Sequence, residues 1–579
     1  MMKLSRFLMP YRNMLIVVIT LALGQALLNL YLPDLMADIV DRGIVKSNIA
    51  YIWAIGGLML LVALGSILCA VVGIFFSSQV ALGFGKDIRA ELFAHVQRFS
   101  PSEFDAISTA SLITRTTNDT TQVQNVLVML LNVMITSPIT MIGGIILAIH
   151  QDGGLAWIFV VIIPVLVVVI IALMSKAIPL FTVLQLKLDR LNLILGESLS
   201  GVRVIRAFDR SQQEERRFDE ASFALTSVAI TVNRLVASLM PILLLILNVS
   251  SIAILWFGAI RINNGNIQVG AVFAFLQYAM QILFALLMVS MMFAMLPRAS
   301  VSAARINEVL AIKPAIIDAA LVKPADVLEG SVEFQDVTFS YPGAEEPALA
   351  NISFTARPGK VTAIIGGTGA GKSTLVNLIP RFYDADGGRV LVNGVDVREI
   401  AQQGLRAKIG FVPQKAYLFS GTIAENIRVG KLGASLEEIT HAVEIAQASE
   451  FVARMPGGLD AFIAQGGSNV SGGQKQRLSI ARALVRKPEI LVFDDSFSAL
   501  DFKTDAQLRL ALKKELLNVI VLIVTQRAST IIEADQIIVL DEGRIVGLGV
   551  HRELMETCTV YREIVASQLA LEECAEEIA

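Results

Sequence analysis

The stretch GGTGAGKST, Gly366 to Thr374, satisfies the pattern GxxxxGK[ST]. It follows the strand-like VTAII and precedes the helical TLVNLI, the strand–loop–helix context that this pattern requires. Gly366, Gly367, Gly369 and Gly371, interleaved with Thr368 and Ala370, let backbone N–H groups turn toward phosphate oxygens. The helix that begins there adds a favourable dipole. Lys372 would bridge the β- and γ-phosphates, and the Ser373 hydroxyl, next to Thr374, would ligate Mg²⁺. The chemistry these residue types serve is the binding of a nucleoside triphosphate with its metal.

Five further segments follow the same chemistry. SGGQKQRLSIARAL from Ser471 and ILVFDDS from Ile490 to Ser496 resemble the signature and the Walker B strand of ABC transporters, at the separation expected of that family. Gln414 in GFVPQ resembles the Q-loop residue, SALD from Ser498 to Asp501 resembles the D-loop, and Tyr341 in FSYPG resembles the aromatic that stacks on adenine. The resemblance covers essentially the whole chain. It implies ATP and Mg²⁺ as ligands, with Asp494 holding the Mg²⁺ water shell and Gln414 sensing the metal. It also implies a dimer, because in this family each ATP lies between one subunit's P-loop and the other's signature. Ser471, Gly472, Gly473 and Gln474 would then serve the γ-phosphate of a partner's ATP.

Two residues depart from the family pattern. Asp495 stands where the family carries the Glu that polarises the attacking water, and one methylene fewer withdraws the carboxylate by about 1.5 Å. Gln526, after the strand VIVLIVT, stands where the family carries its switch histidine. Glutamine donates a hydrogen bond but takes up no charge near neutral pH. Val470 replaces the usual Leu before the signature, and Gln465 replaces a Glu found in many exporters. A usable signature combined with a weakened Walker B half resembles the degenerate-site subunit of bacterial heterodimeric multidrug exporters. A slow homodimer is the alternative assembly.

Around these motifs the chain is 54% hydrophobic and only 17% charged, too apolar for an ordinary soluble protein. Its net charge of −3 gives no argument for nucleic acid. Cys69, Cys558 and Cys574 are too few and scattered for a disulfide framework or metal site. His95, His150, His441 and His551 make no metal cluster in sequence. Six stretches lack any Asp, Glu, Lys or Arg: Arg12 to Asp34, Lys46 to Lys86, Asp119 to Asp152, Asp152 to Lys176, Arg234 to Arg261 and Arg261 to Arg298. Each exceeds the roughly 20 residues that cross a bilayer as a helix. The first reads as a retained membrane helix rather than a cleaved signal.

Loop charges orient these spans. Lys86, Arg89, Arg98 and Arg115, then Lys176, Lys187, Arg190, Arg203, Arg206, Arg210, Arg216, Arg217 and Arg234, follow spans two and four. The opposite loops carry little beyond Arg42, Lys46 and Arg261. By the positive-inside rule both termini face the cytoplasm of a bacterial cell membrane. ILGESLSGVRVIRAFDRSQQEERRF is patterned as a helix that continues below the membrane. Together with LITRTTNDTTQVQ it resembles the intracellular loops of ABC exporters, which places coupling helices near Phe99–Ser108 and Arg210–Phe218. The sixth span is rich in Phe273, Phe275, Gln277, Tyr278, Gln281, Phe284, Met288, Met291, Met292, Phe293 and Met295. Such a stripe serves either as packing core or as an adaptable ligand surface.

The expected architecture is therefore a membrane α-helical domain of six transmembrane helices, residues 1–312. A linker follows at 313–330, then a cytoplasmic α/β P-loop ABC ATPase domain at 331–579. The resemblance implies an ATP-driven exporter of hydrophobic or amphipathic compounds, with multidrug efflux as one form. It would work in the lipid bilayer with a second, catalytically competent half-transporter. Lipid flipping, import by the exporter fold and a nucleotide-gated channel are the alternatives.

Overall fold

The computed structural model describes residues 2–318, 330–515 and 517–576. Residues 319–329 of the expected linker, and the side chains of Phe293 and Cys574, lie outside the described residues. The chain divides into two compact units. One comprises residues up to Gln97 together with Ala110–Ile312, and the other comprises Arg98–Thr109 and the chain from Lys313 onward. Arg98–Thr109 therefore groups with the C-terminal unit, although it falls inside the expected membrane domain of 1–312.

The first eight helices, in chain order, are α1 (Lys3–Ile44), α2 (Ile49–Val96), α3 (Pro101–Ile107) and α4 (Thr109–Gln151). They continue as α5 (Gly153–Ser200), α6 (Val202–Ala207), α7 (Ser211–Asn263) and α8 (Val269–Ala311). Among the described residues, the six long ones are the helices long and apolar enough to cross a membrane. Only a helix satisfies all its backbone groups internally in hydrocarbon, and that is why uncharged runs of this length fold this way. On α2, Leu60, Leu61, Leu64, Ile67 and Leu68 remain exposed, an outward apolar face suited to lipid. The inward faces form a core around Leu30, Ile158, Phe275, Tyr278 and Ile282. Phe159 stacks on Phe275 there at 5.8 Å.

Two charges that delimit spans in the sequence, Asp152 and Arg261, pair with each other in the fold. Asp152 caps α5 by accepting from the Gly154 and Leu155 N–H groups, and its other oxygen meets Arg261 at 2.9 Å. Buried Asp119 accepts from Ser302 Oγ at 2.7 Å, joining α4 to α8, and Arg115 pairs with Glu308 at 2.9 Å.

The short helix α3 falls within the expected Phe99–Ser108 segment and is closed by Ser108 at φ +67°. The second expected segment, Arg210–Phe218, is corrected. It forms the first turns of α7, and the separate short helix is α6, which begins at Val202, eight residues before Arg210. The chain breaks at Gly201 and again at Asp209, whose φ is +49°. After that, SQQEERRF is made of helix formers with nothing to stop them. The sixth-span stripe also divides. Phe275, Tyr278 and Met292 are buried, whereas Phe273, Phe284, Met288, Met291 and Met295 lie on an exposed face of α8 at helical spacing.

Among its described residues, the C-terminal unit is built on three sheets. A six-stranded sheet has the order β12-β11-β3-β10-β9-β6. These strands are β3 (Val361–Gly366), β6 (Ile409–Val412), β9 (Ile490–Asp494), β10 (Ile520–Val524), β11 (Gln536–Asp541) and β12 (Arg544–Gly549). All its pairings are parallel except β11–β12. Every residue of β9 and β10 is buried, the continuous apolar run that a strand covered on both faces requires. An antiparallel sheet, β2-β1-β4-β5, uses β1 (Val332–Phe339), β2 (Leu349–Ala356), β4 (Gly387–Val392) and β5 (Val395–Asp396). A small pair joins β7 (Gly421–Thr422) to β8 (Phe462–Ile463).

Candidate nucleotide site

Register in the larger sheet gathers the chemistry onto one edge. Val524 pairs with Ile364 on one side and Asp494 on the other, so β3, β10 and β9 end side by side. Loops leaving the carboxyl ends of adjacent parallel strands are where open α/β sheets bind ligands. The loop after β3 is GGTGAGKST, the turn after β9 begins at Asp495, and Gln526 follows β10 by two residues. Gln414 follows β6 by two residues, beside β9.

The phosphate loop is formed by positions that exclude side chains. A Cβ on Gly366 would stand 2.1 Å from the Leu540 carbonyl oxygen, and Gly371, at φ +90°, caps the helix α9 (Lys372–Leu378). Lys372 is buried, and its ammonium donates to the Gly366 and Gly367 carbonyls at 2.8 and 2.6 Å. Burial lowers its pKa, while Asp495 and Asp494 pull it back up. Ser373 Oγ donates to Asp494 Oδ1 at 2.8 Å. Gln414 Nε2 donates to Asp495 Oδ2 at 3.3 Å, and the other Asp495 oxygen is buried without a partner. Burial pushes both carboxyls above their ordinary range. Ser373 and Lys372 oppose this at Asp494, and Gln414 and Lys372 oppose it at Asp495.

Hydroxyl, carboxylate and amide oxygens close to a lone buried carboxylate oxygen are a hard donor set of the kind Mg²⁺ takes. Ser373, Asp494 and Gln414 therefore fit the metal that accompanies a nucleotide. Asp495 sits at φ +44°, held by its N–H on the Val524 carbonyl at 3.0 Å and by Ser498 Oγ on its own carbonyl at 2.8 Å. Tyr341 is half-exposed, with its hydroxyl 3.0 Å from Thr374 Oγ1 and its ring edge-on to Tyr383 at 5.5 Å. Gln526 has an exposed side chain, and its carbonyl accepts from Gln568 Nε2.

The signature is arranged differently. Ser471 caps the helix α10 (Gly472–Leu484) by a capping box with Gln474, at 2.9 and 3.3 Å. Ser471 and Gly472 are exposed. Among the described residues, no hydrogen bond joins Ser471–Gln474 to the phosphate loop.

Three positioning residues went unassigned in the sequence. Arg482, in the signature helix, donates to the Tyr417 and Asn426 carbonyls, both at 2.8 Å, tying α10 to the segment that follows Gln414. Burial lowers its pKa to about 10, leaving it charged at neutral pH. Arg527 bridges from beside Gln526 to the Ser498 carbonyl at 2.9 Å. Gln568 clamps the Gln526 carbonyl and the Ala528 N–H at 2.5 and 2.7 Å. The first belongs to a recognisable motif, whereas the other two act on partners 29 and 42 residues away and leave no local signal.

A phosphate loop at the carboxyl edge of a mostly parallel sheet, in a chain whose other unit is six long apolar helices, defines a membrane-bound P-loop ATPase. Comparison with known proteins narrows the class. Residues 15–286 match the family model described as ABC transporter transmembrane region, and residues 349–498 match the one described as ABC transporter. The chain is 44% identical over 569 residues to an uncharacterized ABC transporter ATP-binding protein of Mycobacterium tuberculosis, covering 98% of this chain and 97% of that one. It is 33% identical over 523 residues to an ATP-dependent lipid A-core flippase of Pseudomonas fluorescens, covering 90% and 86%. A solved bacterial Atm1-family ABC exporter with ATP bound superposes with a TM-score of 0.81 at 26% identity, covering 96% of this chain and 98% of that one. The chain belongs to the ABC transporter family, with an exporter-type, multi-pass membrane domain ahead of its ATPase domain.

Proposed function

We propose that this chain is the degenerate-site half of a heterodimeric ABC exporter that moves hydrophobic or amphipathic compounds out across a bacterial cytoplasmic membrane. When bound, Mg²⁺-ATP supplies the phosphoanhydride whose hydrolysis drives the cycle. The amides of Gly366 to Gly371 and Lys372 hold its phosphates, Tyr341 takes the adenine, and Ser373, Asp494 and Gln414 hold the metal. Ser471, Gly472, Gly473 and Gln474 complete the partner's site. Both termini and the basic loops lie in the cytoplasm, on the strength of the Lys and Arg asymmetry between loops.

The pair Asp495 and Gln526, at the ends of adjacent strands β9 and β10, carries this reading. The Asp495 carboxylate is short and engaged by Gln414, and Gln526 has no proton to exchange near neutral pH. Misplacing a catalytic group by about 1 Å can cost on the order of 10²-fold. The exposed Met and Phe face of α8 supports an adaptable, apolar substrate class. Similarity to a protein named as a lipid A-core flippase favours a lipid as the second reading of that class.

The test is ATP hydrolysis by the purified chain alone and by the chain co-expressed with a second half-transporter. Mg²⁺-dependent turnover should be low alone and high in the pair. Comparable turnover in both would make the chain a homodimeric transporter.

A further inference from the structure

Within the membrane unit, α1, α2 and α4 line a partly open cavity of about 170 Å³. Small side chains on two helices, Ala22 on α1 and Ala70 and Gly73 on α2, make the room, and Gln25, Asn132 and Thr136 supply polar groups. At 1.5 Å per residue, Val18 and Gln25 stand about 9 and 20 Å along α1 from Arg12, well inside an uncharged run. Polar groups at this depth have only each other, or a ligand, in place of water.

Their bonding is incomplete. Asn132 lies in a π-helical stretch of α4, Leu130–Met134, a widened turn of the kind that recurs at functional sites. Asn132 Nδ2 donates to the Val128 carbonyl at 2.8 Å and to Ser77 Oγ at 3.1 Å. Asn132 Oδ1 accepts from Ser77 Oγ at 3.2 Å and keeps room for a second donor. Thr136 donates its only proton to the Asn132 carbonyl at 2.6 Å, so toward the cavity it can only accept. The Gln25 side chain makes no hydrogen bond with any described residue. An amide held unpaired in an apolar setting is costly, and here it lines an open space. The free capacity is thus two donors on Gln25 and acceptors on Gln25, Asn132 and Thr136, with no charge in the lining.

We propose that this cavity is an intramembrane binding site for the head of an uncharged, hydroxyl-bearing amphiphile. A diol fits the inventory: it accepts from Gln25 and donates to Asn132 and Thr136. Its volume equals that of about six waters, enough for a glycerol-sized head. A carboxylate or ammonium head would enter without a counter-ion and is excluded. The site lies wholly within one chain and depends on neither ATP nor the identity of a second subunit.

The experiment uses the full-length protein in phosphatidylcholine nanodiscs with a monoacylglycerol carrying a diazirine beside its glycerol head. Labelled peptides are mapped by mass spectrometry. Label should concentrate on residues 18–25, 70–77 and 132–136, about fivefold over other membrane segments, the preference one hydrogen bond confers. Unlabelled monooleoylglycerol should compete and oleate should not. Gln25→Leu should lower the focused labelling by a similar factor, about fivefold, and Ala70→Leu should block it by filling the space. Even labelling of all lipid-facing helices, or equal competition by oleate, would overturn the proposal on the wild-type protein alone. Labelling indifferent to both substitutions in folded protein would do the same.

Discussion

The two motif-bearing surfaces of the ATPase unit, the phosphate loop and the signature, differ in how far a single chain completes them. Around the phosphate loop, Lys372 is tied to the loop's own carbonyls, Ser373 to Asp494 and Gln414 to Asp495, and Lys372 and Asp494 are buried. At the signature, Ser471 and Gly472 are exposed, and the polar groups of Ser471 serve only to start their own helix. The first surface is bonded within this chain, and the second, on the proposed reading, serves the nucleotide of another chain. The two substituted residues, Asp495 and Gln526, both sit on the first. Mutation can therefore damage one half while sparing the other, and the predictions below exploit that.

The largest effect is expected where the phosphate loop has no space at all. Gly366→Ala would drive a methyl group into the Leu540 carbonyl and should destabilise by about 3 kcal/mol or more. Thermal unfolding of the whole chain reads this. Gly367→Ala, where nothing lies within 4 Å, should leave the transition unmoved. Equal losses from both would mean the loop backbone differs from the one described.

Next comes the strap that holds the signature helix. Arg482→Met removes hydrogen bonds to Tyr417 and Asn426 and strands the acceptors of buried Asn426, for about 2–3 kcal/mol. Nucleotide binding at the phosphate loop, measured by fluorescent ATP analogue titration, should stay within a factor of about two. A parallel collapse of nucleotide affinity would break the separation of the two surfaces.

A smaller change is predicted at the substituted pair. Asp495→Glu with Gln526→His should raise hydrolysis by the chain alone about tenfold, worth about 1.4 kcal/mol, and more than either change singly. A double variant as slow as the parent would locate the block elsewhere.

The smallest effect is one of pH. The folded protein raises the pKa values of Asp494 and Asp495, mainly by burial, so folded carboxyls hold protons more tightly than unfolded ones. Their contribution to stability is complete below the ordinary carboxylate range and is lost as pH rises through the raised values. Mg²⁺ should therefore raise the unfolding temperature more at pH 7.5 than at pH 5, and Asp494→Asn should flatten the difference.

Much of this was legible in the sequence for physical reasons. Charge-free runs predict the six spans because hydrocarbon penalises charge, although the helices overrun those runs: α1 extends to Lys3 and Ile44, beyond Arg12 and Asp34. The overrun is invisible to a charge count, since ends outside the bilayer tolerate any residue. The phosphate loop is legible because its backbone demands glycine at fixed places. The second short helix was misplaced because the break that defines it, at Gly201 and Asp209, is weaker in sequence than the helix formers after it. The pairing of Asp152 with Arg261, and the Gln568 clamp on Gln526, depend on contacts between distant segments. Local pattern carries no trace of them.

The central claim is that this chain's phosphate loop serves the weaker of two sites, and its signature the stronger. Steady-state ATPase and transport by inside-out vesicles, with a wild-type partner half-transporter, test it through Lys372→Ala and Gly473→Glu. Gly473→Ala serves as a control, because a Cβ there already stands 3.0 Å from the Ala499 carbonyl. Lys372→Ala should weaken nucleotide binding yet leave appreciable turnover. Gly473→Glu should nearly abolish it, since a carboxylate would face the partner's γ-phosphate at the competent site. Equal damage would mean symmetric or strictly coupled sites, and greater damage from Lys372→Ala would reverse the assignment.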